Sequence, residues 1–219
     1  MKAVTADVVV LTVRDTRLEV LLARLPGNLW QLPGGVVTGD ATVEESAVGA
    51  LAAQTGIRGV ALEQLYTFDR AAGAGLCVAH LALIAADRHP ITPGPEVVEV
   101  RWFAMGDVPA LDPDAAEVLA YGHTRLRAKA AYAPIAVQLL PEVFTLGELQ
   151  IAYEAVLGRE LDTRNFRRDV LAGGLLADAG SVRAEGPGRP ARLYRSTGGD
   201  FQVLAPERRI ARAIGSSSP

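Results

Sequence analysis

The residues best equipped for chemistry in this chain are arginines. Between Asp162 and Arg195 there are seven Arg against Asp162, Asp169, Asp178 and Glu185. In TRNFRRDVLA, Arg164 and Arg168 stand one helical turn apart with Arg167 at the flank, while Phe166 and Val170 fall on roughly the opposite face. Guanidinium forks bind phosphates or the edges of bases. Arg164 and Asn165 suit base edges; the spacing does not divide phosphate from base roles for Arg167 and Arg168. Arg189 lies in GPGRP, where it projects from a turn and can meet a phosphate or enter a narrow minor groove. The expected DNA-facing set is Thr163, Arg164, Asn165, Arg167, Arg168, Arg183, Gly188, Arg189 and Arg192. A solvated helix face and a surface hairpin are the bland alternatives for each feature alone, and their adjacency favours nucleic acid.

The elements that position these residues are readable. Thr145 with Glu148 forms a capping box, Leu149, Ala152, Tyr153 and Val156 form an apolar stripe, and Gly158 stops the helix. Asp162 caps the next helix, Thr163–Ala172, which Gly173–Gly174 ends. Two strands joined by the tip Glu185–Pro190 follow. Two helices with a tight turn, then a hairpin, make a winged helix-turn-helix.

The front of the chain offers a second chemistry. Ala3–Val13 and Leu18–Ala23 read as strands around the polar turn Arg14–Arg17, followed by the Gly/Pro loop LPGNLWQLPGGVVTGD. Thr42 with Glu45 is a capping box, Val43, Ala47, Leu51 and Gln54 recur at helical spacing, and Gly56 ends the helix. Arg58–Phe68, Leu76–Ala86 and Glu99–Ala104 read as strands and Asp112–Ala131 as a helix. This is an α/β or α+β sandwich. A ligand, if one binds, is expected near Arg24, Gly34, Gly35, Asp69 and Arg70. Glycines let a backbone approach a phosphate closely, and the start of the Thr42 helix adds a favourable dipole. The alternative, a Gly turn kept for folding with Arg24 solvated, stays open. His80, His89 and His123 show no ligand spacing, Cys77 reads as a small buried hydrophobe, and Trp30, Trp102, Phe103 and Met105 read most simply as core, with stacking of one Trp on a base or ribose left open.

The stretch from Trp30 to Ile57 resembles the Nudix box, in which Gly, five residues, Glu, seven residues and Arg-Glu-apolar-x-Glu-Glu-x-Gly-apolar follow one another. Gly35, Leu51, Gly56 and Ile57 match its structural positions, and WQLPGG matches its usual lead-in. The acidic positions are Ala41, Ala50, Ala53 and Gln54, and the Arg position is Gly49. Nudix enzymes hold Mg²⁺ with these carboxylates, since a hard cation bridging phosphates needs oxygen ligands. No catalytic residue and no metal ligand is therefore expected. Glu44 and Glu45 read as a solvated first helical turn.

FTLGELQ, YEAVLG, NFRRDVL and GPGRPARLYR resemble the carboxyl-terminal domain of the NrtR family, Nudix-related transcriptional regulators. The resemblance runs nearly the length of the chain. It implies a Nudix-like α/β/α sandwich followed by a winged helix-turn-helix. It further implies a cytoplasmic, homodimeric repressor of NAD synthesis or salvage genes that binds a palindromic operator in double-stranded DNA. ADP-ribose is its implied effector, and no cofactor is implied. Relatives regulate sugar catabolism instead. One departure stands out. Many members that sense ADP-ribose carry RDPRGR after the TF of LYTF, where this chain has DRAAGAGLCVAH.

Composition agrees with two modules. Residues 1–143 hold 11 basic and 16 acidic residues, and residues 144–219 hold 11 and 9. The expected division is 1–133, a Nudix-like effector and dimerisation domain; 134–205, the winged helix; and 206–219, a tail expected to be disordered. Pro134 and Pro141 mark the hinge. No apolar run reaches the roughly 18 residues of a membrane helix, and the start does not resemble a signal peptide. The single Cys excludes an internal disulfide and suits a reducing compartment. The competing readings are an active Nudix hydrolase with an accessory domain, and an adaptor whose winged helix binds protein.

Overall fold

A computed structural model describes residues 3–27, 29–130, 133–184 and 190–197. The chain forms two compact units, Met1–Arg125 and Leu126–Pro219.

The first unit is built on β1 (Ala3–Arg14), whose Val-rich run is buried from Val8 to Leu11. A strand that apolar on both sides must be central. It pairs antiparallel with β2 (Arg17–Arg24) across the turn Asp15–Thr16, where both residues take positive φ as a two-residue hairpin requires. The loop expected after it contains two short strands, β3 (Trp30–Gln31) and β4 (Gly34–Val36). Helix α1 (Val43–Thr55) is closed by the Thr42–Glu45 capping box and by Gly56 in the left-handed region. Then come β5 (Glu63–Asp69), β6 (Gly75–Leu83), β7 (Glu99–Ala104) and α2 (Pro113–Ala130). The mixed sheet runs β3-β2-β1-β6-β5, with β4 beside β1 and β7 beside β2.

Two strand expectations need correcting. Arg58–Leu62 lies outside β5, because Gly59 takes φ +68 while Val60 and Leu62 pack on the apolar cluster without joining a ladder. Strand β6 stops at Leu83, and Ala86–Arg88 forms a short 3₁₀ turn.

Alternation along β1 assigns the two faces of the sheet. Ala6, Val8 and Val10 cluster with Ala47 and Leu51 of α1. Each large side chain wholly buried there contributes about 1.5–3 kcal/mol. Thr5, Asp7 and Val9 face the other way. A Cβ on Gly122 of α2 would lie 3.2 Å from Val9, so the missing side chain lets α2 sit close on that face. The result is a helix on either side of the sheet.

The second unit holds β8 (Phe144–Thr145), α3 (Leu146–Leu157), α4 (Thr163–Ala172), β9 (Leu176–Arg183) and β10 (Ala191–Ser196). Leu149, Ala152, Tyr153 and Val156 of α3 are buried, and the Tyr153 ring meets Phe166 of α4 edge to face with centroids 5.6 Å apart. Burial pushes the Tyr153 hydroxyl above its usual range. The strands form the small sheet β8-β10-β9, which completes the winged-helix layout. Among the described residues no helix is long and apolar enough to cross a membrane. The expected tail, 206–219, lies outside the described residues.

Candidate nucleic-acid interface and effector site

Helix α4 is oriented by its own sequence. The Asp162 carboxylate accepts the Asn165 N–H at 2.8 Å, which closes the first turn, and Phe166 and Val170 are buried. Thr163, Arg164, Asn165, Arg167 and Arg168 are thereby left exposed. Gln150 and Glu154, which no sequence motif singles out, hold the turn that sets the helix. Gln150 Nε2 donates to the Leu161 carbonyl at 3.1 Å and to Thr163 Oγ1 at 3.1 Å, and Glu154 accepts the Leu161 N–H at 2.8 Å. Their only signal was a polar pair one turn apart on α3.

The arginines separate by partner. Arg164 and Arg167 make no ion pair with a described residue. Arg168 donates from Nε and Nη2 to its neighbour Asp169, at 2.7 and 3.1 Å. Arg183 donates to Glu148 at 2.6 Å, tying β9 to the capping box of α3. Arg192 pairs with Asp178 across the hairpin at 3.0 Å. Gly188 and Arg189 lie outside the described residues. An open cleft of about 340 Å³ lies between Thr145–Gly147, Arg167, Pro190–Arg192 and Tyr194.

Of the five residues expected at an effector site, Gly34 and Arg70 both lie against Asp7, Gly35 pairs with Ala6 in the sheet, and Arg24 sits beside Trp30. Arg24 donates to Glu99 at 2.8 Å and stands 5.6 Å from the Trp30 ring. Arg101 stacks there too, 5.3 Å from Trp30 and 4.2 Å from Phe103. This corrects the reading of Trp30 as core: it is half-buried at the end of the sheet, against two guanidinium groups.

Arg70 lies in a second cluster, on the α2 face. Its Nη2 donates to Asp7 Oδ2 at 3.0 Å and its Nε to Thr5 Oγ1 at 3.1 Å. The Cys77 thiol also donates to Asp7, at 3.3 Å, so Cys77 is buried but not merely apolar. Burial raises the Asp7 carboxyl above its ordinary value despite Arg70 and Cys77, and pushes Cys77 up to about 12. Asp69 is exposed. A Cβ on Gly34 would meet Asp7 Oδ1 at 2.5 Å, so this position accepts only glycine.

The α1 face carries the degenerate box. Gln54 accepts the Gly34 N–H at 3.1 Å and donates to the Gly34 carbonyl at 2.7 Å, pairing with the strand as another peptide would. A carboxylate cannot make the second bond, because it has no hydrogen to give. Gln54→Glu is expected to lower the stability of the chain by about 1–3 kcal/mol. The readout is a lower urea midpoint at unchanged slope, and an unaltered midpoint would show the clamp to be idle. Glu45 is likewise engaged. It accepts the Thr42 N–H and hydroxyl at 2.8 Å each, and these bonds hold its carboxyl below its usual range.

The NUDIX domain family matches residues 1–122, and the NrtR DNA-binding winged helix domain matches residues 136–196. The ADPR responsive transcriptional repressor NtrR of Acinetobacter baylyi (strain ATCC 33305 / BD413 / ADP1) is 30% identical over 216 residues, covering 92% of this chain and 85% of that protein. The crystal structure of Shewanella oneidensis NrtR complexed with a 27mer DNA is 33% identical, with a TM-score of 0.78 over 88% of this chain and 93% of that one. The NUDIX domain of Shewanella oneidensis NrtR complexed with ADP ribose is 27% identical, with a TM-score of 0.53 over 57% of this chain and 89% of that one.

Proposed function

Because the chain belongs to the NrtR family, we propose that it is a transcriptional repressor that binds operator DNA through its winged helix and senses ADP-ribose through a Nudix unit that does not hydrolyse it. The observation that carries this reading is the division of α4: Phe166 and Val170 are buried, Arg164 and Arg167 are exposed, and Arg167 shares a cleft with Pro190–Arg192 of the hairpin. A helix so built presents its cationic face to the major groove. Its target is double-stranded DNA with a palindromic operator, since a homodimer with two-fold symmetry requires matching symmetry in the site. The genes it controls are those of NAD synthesis or salvage, and it acts in the cytoplasm.

The box positions of the Nudix unit carry no carboxylate for a hard divalent cation. Ala41, Ala50 and Ala53 offer no side-chain oxygen, and Gln54 is engaged on Gly34. Binding therefore replaces hydrolysis. Arg70 is the residue best suited to the pyrophosphate, because a guanidinium fork matches phosphate oxygens pairwise. The test is retardation of operator DNA while ADP-ribose is titrated, with calorimetry on the free protein. Expected are micromolar to millimolar binding and at least a tenfold loss of DNA affinity, equivalent to about 1.4 kcal/mol. DNA affinity unchanged at millimolar ADP-ribose would remove the sensor role.

A further inference from the structure

Helix α2 has both ends fastened by polar contacts. Asp114, in its first turn, accepts the Ala71 N–H on both carboxylate oxygens at 3.3 Å, and its Oδ2 lies 4.0 Å from Arg70 Nη1. At the other end Arg127 donates to the carbonyl of Leu157, the last residue of α3, at 3.0 Å. Leu126 and Ala130 are wholly buried. The division between the two units falls between Arg125 and Leu126, inside this helix. One continuous element therefore starts against the Arg70 cluster and ends hydrogen-bonded to the first helix of the helix-turn-helix.

We propose that Arg70 and Asp114 form a latch through which the Nudix unit governs DNA affinity, an anionic effector drawing Arg70 away from Asp114 and so releasing the first turn of α2. This rests on the reading of the chain as an ADP-ribose-responsive repressor. The two carboxylates around Arg70 are unequal. Asp7 is hydrogen-bonded to it at 3.0 Å and only 14% exposed, whereas Asp114 stands at 4.0 Å and makes no hydrogen bond to it. Asp114 is the partner a phosphate displaces, and Asp7 keeps the guanidinium in place while it does so. An effector shifts the equilibrium only by its preference for the unlatched state. Reciprocity then requires a variant biased to that state to bind effector more tightly, DNA more weakly, and with less coupling between the two.

Asp114→Asn and Arg70→Ala, made in the full chain, test this. Asp114→Asn keeps an oxygen for the Ala71 N–H and removes the charge. For this variant the expected results are at least about threefold weaker operator binding without ligand, about threefold tighter ADP-ribose binding by calorimetry, and a fall in the ratio of DNA dissociation constants with and without ADP-ribose. Arg70→Ala should lose both ADP-ribose binding and the coupling, with an unchanged far-UV circular dichroism spectrum. A wild-type chain that responds to ADP-ribose while Asp114→Asn responds by the same factor overturns the latch alone. A wild-type chain whose DNA affinity ignores ADP-ribose overturns the sensor reading, and the latch with it.

Discussion

Replacing Arg164 and Arg167 together by Ala is expected to weaken operator binding roughly 30-fold to 20,000-fold, from about 1–3 kcal/mol for each arginine removed. The stability of the winged-helix unit should stay within about 0.5 kcal/mol, because both side chains are exposed and neither is ion-paired with a described residue. The single variants divide the work. If Arg167 meets a phosphate, Arg167→Ala weakens all sequences alike and flattens the salt dependence by about one unit of slope. An arginine that reads a base instead loses discrimination at one position of the site. Arg168 should matter less than either, since reaching DNA means giving up its two hydrogen bonds to Asp169. Unchanged affinity in the double variant would mean that α4 is not the recognition helix.

The second large effect is an absence of turnover. Nudix-type hydrolysis depends on a metal held by box carboxylates, and typical enzymes turn over at roughly 1–10³ per second. This chain should release AMP from ADP-ribose at least a thousandfold more slowly than about 1 per second, even in excess Mg²⁺ or Mn²⁺. The two surviving acids do not replace the missing ones. Glu45 is bound up in its capping box, and Glu44 is exposed in the same first turn of α1. Release of AMP in the ordinary enzyme range, by a preparation free of contaminating hydrolase, would require a different metal site and would overturn the proposal of a binding-only unit.

Local signals made most of the fold legible. Thr42 with Glu45, Thr145 with Glu148, and Asp162 each cap the helix that follows, and Gly56 and Gly158 end theirs in the left-handed region. These are contacts between residues a few positions apart, written directly in the order of residue types. Contacts set by tertiary structure were not legible. Asp7 meets Arg70 across 63 residues, and Ala71 meets Asp114 across 43. An acidic residue at the head of a Val-rich strand was the available signal, and it named no partner. The same limit applies to Arg183. Its sequence context suited DNA equally well, but its position on β9 brings it to Glu148. Periodicity assigns a side chain to a face, and only the packed structure decides what that face meets.

The pairing of Gln54 with Gly34 also bears on the history of the chain. Replacing Gln54 by Glu would remove a hydrogen bond to the strand and leave Ala41, Ala50 and Ala53 without side-chain oxygens at the other box positions. A Glu at position 54 is thus expected to cost stability by itself. On the proposal that this unit binds without hydrolysing, the clamp acts as a ratchet at that one position, because a carboxylate placed there alone loses a bond of the fold.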